Sequence, residues 1–86
     1  MKSTKYTVST TAIKIVPAEQ FTRIVYIQTN AGSIYLGGAT ITDTADGVHV
    51  PNGDTLAVTV PNNETIYAID GGGGATCVVL DWSATD

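Results

Sequence analysis

The sequence predicts an all-β fold: a small β-sandwich, jelly-roll-like fold or barrel of about eight short antiparallel strands. Three observations carry this. Apolar residues recur with a period of two, most clearly where Leu56, Val58 and Val60 alternate with Thr55, Ala57 and Thr59. Turn-forming Pro, Gly, Asn and Asp clusters return at roughly ten-residue intervals. No segment carries a helical period.

Lys5 to Ser9 and Ala12 to Val16 read as two short strands separated by Ser9-Thr10-Thr11. In the second, Ile13 and Ile15 share a face, Lys14 points outward and Val16 ends the strand. Pro17-Ala18-Glu19-Gln20 breaks the run and is the one place where a single helical turn could fit. Thr22 to Thr29 is the longest β-branched run. It is apolar on both faces, with Ile24 and Tyr26 on one and Val25 and Ile27 on the other, as expected of a central or interface strand.

Asn30-Ala31-Gly32 reads as a turn, Ser33 to Leu36 as a short strand, and Gly37-Gly38 as a bend or bulge. Thr40 to Asp46 is polar and ends at the turn pair Asp46-Gly47. Val48 to Val50 is a brief strand, followed by the turn Pro51-Asn52-Gly53-Asp54. The alternating strand that ends at Val60 leads into Pro61-Asn62-Asn63, and Thr65 to Ile69 forms the next strand. Pro lacks an amide donor and Asn tolerates turn angles, so these two strands are expected to form a hairpin. Gly71 to Gly74 make a flexible loop. Ala75 to Trp82 closes the chain, with Val78, Leu80 and Trp82 on one face and Cys77, Val79 and Asp81 on the other.

The chain has 86 residues, which is one domain, 1–86, with 1–5 as an N-terminal arm. A core of this size is thin, and small folds usually add disulfides, a metal or a partner. Cys77 is the single cysteine, so no internal disulfide forms, and no His/Cys cluster offers a metal site. Assembly with copies of itself or with a larger partner is the expected supplement.

The formal charge is −4, and all four bases, Lys2, Lys5, Lys14 and Arg23, lie at the N-terminal end. Nucleic-acid binding needs clustered Lys and Arg, so it is not expected. No apolar run reaches the ~20 residues of a membrane span. The opening residues have charge but no apolar core, so no signal peptide is expected, and the chain should be made and kept in a cytosol-like compartment unless it leaves inside a particle.

No residue set points to catalysis. His49 is the only histidine, sits between Val48 and Val50, and reads as a structural or surface residue. Cys77 reads as a small buried apolar residue. The four glycines lack the Lys and helix start of a phosphate loop. Asp43, Asp46 and Asp54 lack the ligand density of a calcium loop and read as turn-capping acids. Tyr6, Tyr26, Tyr35, Tyr67 and Trp82 fit cross-strand packing better than a sugar platform.

The order of segments is distinctive. S-T-T-A-I-K-I-V-P-A runs into R-I-V-Y-I-Q-T-N, then S-I-Y-L-G-G-A-T-I-T, then G-V-H-V-P-N-G-D-T-L-A-V, then E-T-I-Y-A-I-D-G-G-G-G-A-T-C-V-V-L. From Ser9 to Leu80 this resembles very small structural proteins of tailed bacteriophages. The resemblance implies a virion component of the capsid decoration, or cement, type. Such a protein assembles in the host cytoplasm, binds the outer shell, often as a trimer, and bridges major capsid protein subunits. It brings no catalytic residue, cofactor or metal. The contact would use apolar strand faces and the N-terminal arm: Lys2, Lys5, Tyr6, Arg23, Val25 and Ile27. Cys77 and the acidic Asp43-to-Asp46 loop depart from the pattern. The alternative is a head-fibre or tail-spike module binding a host receptor or glycan, which requires exposed aromatics clustered on one face.

Overall fold

The computed structural model describes residues 2–38, 41 and 47–81. Among these it contains eight strands: β1 (Lys2–Val8), β2 (Ile13–Val16), β3 (Arg23–Ala31), β4 (Ile34–Gly37), β5 (Val48–Val50), β6 (Thr55–Val60), β7 (Ile66–Asp70) and β8 (Ala75–Asp81). They form two four-stranded sheets, ordered β1-β8-β3-β6 and β2-β7-β4-β5. Every pairing is antiparallel. The first strand pairs with the eighth, the second with the seventh, the third with the sixth and the fourth with the fifth. The chain is thus one long hairpin rolled into two layers, which is the jelly-roll form of the expected sandwich.

Alternation decides the core. Along β3, Arg23, Val25, Ile27 and Thr29 are buried while Ile24, Tyr26, Gln28 and Asn30 are exposed. Its neighbour β8 buries Ala75, Cys77 and Val79. From the second sheet Ile15, Ile34, Leu36, Val50 and Ala68 close the same core. In β2 a register shift between Lys14 and Val16 turns both Ile15 and Val16 inward, so Val16 belongs to the core as well as to the strand end.

Several expectations need correction. The turn at Pro61-Asn62-Asn63 forms, and Glu64 N donates to Pro61 O at 3.2 Å. Yet β6 and β7 do not pair, because β6 lies in the first sheet and β7 in the second. The turn is a crossing between layers, tied by Asn63 N to Glu19 O at 2.8 Å. Pro17 to Gln20 holds no helical turn. Ala31 remains in β3, and the chain turns at Gly32, whose φ is 69°. Residues 2–5 are no free arm; they open β1 and pair with β8 from Lys2–Asp81 to Lys5–Val78. Asp43, Asp46 and Trp82 lie outside the described residues.

Candidate interaction surface

The register of the first sheet builds its outer face row by row. Ser3, Leu80, Tyr26 and Ala57 lie side by side, and so do Lys5, Val78, Gln28 and Thr55. Ile24 continues the stripe beside Thr59. Ile24 is 49% exposed and Tyr26 37%. Among the described residues of this face, Lys5 is the only charged one. The result is a nearly uncharged sheet surface with an apolar centre.

The two open sides of the sandwich differ. On one side, between β1 and β2, a cavity of about 410 Å³ is lined by Lys2, Thr4, Tyr6, Glu19, Phe21 and Asp81 over an apolar floor. On the other, beside β6, a groove of about 310 Å³ is lined by Leu36, Val48, Leu56, Val58 and Ile66. Val48 is 59% exposed there.

The six residues expected at an interface do not meet. Lys2 and Tyr6 face the β1–β2 cavity. Lys5 sits on the outer face, beside Val78. Val25 and Ile27 have 0% exposure and pack between the sheets, so they are core residues and not contact residues. Arg23 is also buried. Its Nε donates to Asp81 Oδ2 at 2.9 Å, its Nη2 donates to Pro17 O, and its guanidinium lies 6.0 Å from the Phe21 ring centre. Arg23 therefore pins the end of β2 to the first sheet. The outward-facing apolar residues that the sequence reading did not assign to an interface are Ile24, Tyr26, Ala57 and Leu80. Their signal was the opposite parity of the same strands, which both-face hydrophobicity had masked on β3.

Other candidates resolve into structure. His49 stacks on its cross-strand partner Tyr35, with ring centres 4.7 Å apart and planes 14° from parallel. Cys77 is buried, and burial pushes its thiol up to about 11. Asp70 Oδ1 accepts from Gly72 N at 2.9 Å and so closes the glycine loop. Among the described residues, no group of three or more His, Cys, Asp or Glu is placed to hold a metal. The tyrosines do not all share a face: Tyr6 faces the β1–β2 cavity, Tyr26 lies on the outer face of the first sheet, and Tyr35 and Tyr67 share one face of the second with His49.

No protein-family model matches the chain, and no curated protein matches it. Among solved structures, it is similar to a chain from work described as "Bacillus endospore appendages form a novel family of disulfide-linked pili". The TM-score is 0.62 at 17% identity, over 98% of this chain and 85% of that one. At that identity the likeness is one of fold.

Proposed function

We propose that this chain is a non-catalytic structural protein of the capsid decoration type, which docks on the outside of a larger protein shell through the outer face of its first sheet. The exposed apolar stripe on β3, Ile24 and Tyr26, carries the reading. Covering two such side chains contributes about 2 kcal/mol each, and a sheet face whose one described charge is Lys5 suits a broad partner better than a small ligand. The likeness to an appendage subunit supports a structural role for the fold. The disulfide linkage named for that protein has no counterpart at Cys77, which is buried. Tyr35 and Tyr67 share a face but are half-buried, and Tyr6 and Tyr26 lie elsewhere, which favours this reading over a glycan-binding spike.

Purified phage shells heated with and without the protein test the proposal. Stoichiometric binding and a raised disruption temperature are expected, and Ile24→Ser/Tyr26→Ser should abolish both while leaving the protein folded. Equal shell stability, binding that ignores the double substitution, or filaments formed by the protein alone would reject it.

A further inference from the structure

Among the described residues the two sheets end in four strand edges, and these are not equally protected. Edge β1 carries Lys2 and Lys5. Edge β2 carries Lys14, has a register shift and is followed by Pro17. Edge β5 is three residues long. These are the devices by which proteins keep edges from pairing with another chain. Edge β6 shares only the trailing proline, here Pro61, and has neither a lysine nor a register shift. Its six residues, T-L-A-V-T-V, carry no charge and no proline, and the pairing of β6 with β3 runs without a register shift. The apolar groove opens beside this same edge.

We propose that β6 pairs antiparallel with β6 of a second copy of this chain, about a two-fold axis at Val58. Register follows from the pleat. A one-residue slip would set core-facing side chains against outward ones, so residues must pair with others of the same parity. Centring on Val58 sets Leu56 opposite Val60 of the second copy and Ala57 opposite its Thr59. Centring on Ala57 would instead bring Asp54 against Val60. With Val58 on the axis, Asp54 falls level with Asn62 of the second copy and Glu64 with its Asn52, so no like charges meet. The lysines stay on the far edges, at β1 and β2. The two grooves face each other and cover Val48, and the first sheets join into one of eight strands.

This pairing leaves the outer face of the first sheet free, so it stands or falls apart from shell docking. A strand paired with its own copy is an isologous contact and closes as a dimer.

The solution mass of the full chain, by light scattering across micromolar concentrations, is expected to show a dimer. Mild oxidation of Val58→Cys should then link two copies, because directly opposed residues in an antiparallel pair lie about 4.5–5.5 Å apart at Cα, within disulfide reach. Thr7→Cys, on edge β1, should link at least tenfold more slowly, and buried Cys77 does not compete. A monomer or a trimer at all concentrations, or Val58→Cys linking no faster than Thr7→Cys, overturns the proposal. The mass of the unsubstituted chain decides the matter should Val58→Cys fail to fold.

Discussion

Ile41 lies against the bare backbone of Gly47, so closely that a β-carbon at position 47 would sit 2.8 Å from Ile41 Cδ1. The same carbon would be 2.8 Å from Tyr35 Cβ and 3.2 Å from Leu36 O. Ile41 meets Gly37 in the same way, again at 2.8 Å from Cδ1. Two glycines thus make the seat that buries Ile41 over the β4–β5 pair. Ile41 could swing its terminal methyl aside, but Tyr35 Cβ and the Leu36 carbonyl are fixed to the strand.

Gly47→Ala is therefore expected to destabilise the fold by about 1–3 kcal/mol, as overpacking does. At this size each kcal/mol lowers Tm by roughly 4–8 °C. Gly38 is the internal control, since no atom of the described residues lies within 4 Å of a β-carbon there. Thermal unfolding should separate the two substitutions, and matching Tm values would show that the seat is not tight.

Arg23 joins β8 through Asp81 and the β2 end through Pro17, and its buried Nη1 has no partner among the described residues. Arg23→Ala removes the guanidinium that meets both the Asp81 carboxylate and the Pro17 carbonyl, and should cost about 2–4 kcal/mol. Arg23→Lys should recover little, because one ammonium cannot reproduce the fork that meets both acceptors. Replacing both partners, as Arg23→Met/Asp81→Leu, should cost less than Arg23→Ala alone. Urea midpoints for the three variants measure this, and a double variant weaker than Arg23→Ala would contradict it.

Arg23 also shows where sequence reading stops. A base at the head of an apolar run reads as a surface charge, because its acceptor Asp81 is 58 positions away. The strands themselves were legible: alternation placed them, and the jelly roll was among the folds expected. Their partners were not. Among the described residues only β4 and β5 pair as neighbours in the chain, and the other pairings join distant segments. Pro61-Asn62-Asn63 gave true turn chemistry, but turn chemistry does not say whether a chain returns in its own sheet or crosses to the other. On β3 the two apolar faces were recognised, yet the choice of inner face depended on β8 and β6. Gly37 and Gly47 signalled bends, while their tighter constraint comes from Ile41, a contact no local rule contains.

Asn63 is the one described non-glycine residue with positive φ, at 66°. Its amide holds the crossing turn to Glu19 O. Asn tolerates this conformation and a β-branched side chain does not. Asn63→Gly should be neutral or nearly so, and Asn63→Val should lose about 1–2 kcal/mol with an unchanged urea m-value. If valine were tolerated as well as glycine, the turn would not depend on that angle.

Tyr6 and Cys77 face each other across the β1–β8 pair. Burial pushes the Cys77 thiol up to about 11 from an ordinary 9.0. Burial, and then the neighbouring thiol, also raise the Tyr6 phenol above its ordinary 10.0. Both groups become charged by losing a proton, so the folded chain keeps protons that the unfolded chain releases. Their stabilising contribution is complete below the unfolded thiol value of 9.0 and is lost as pH climbs toward about 11. Stability should therefore fall by about 1–2 kcal/mol between pH 8 and pH 10.5, with Cys77 the larger source. Cys77→Ala removes one proton-holding group and relieves its neighbour, so its urea midpoint should change less over that range even if it starts lower. The same burial keeps the thiolate form scarce, so at pH 8 a thiol reagent should label Cys77 only as fast as the chain unfolds. Rapid labelling of the folded protein, or equal alkaline losses in parent and variant, would place Cys77 outside the closed core.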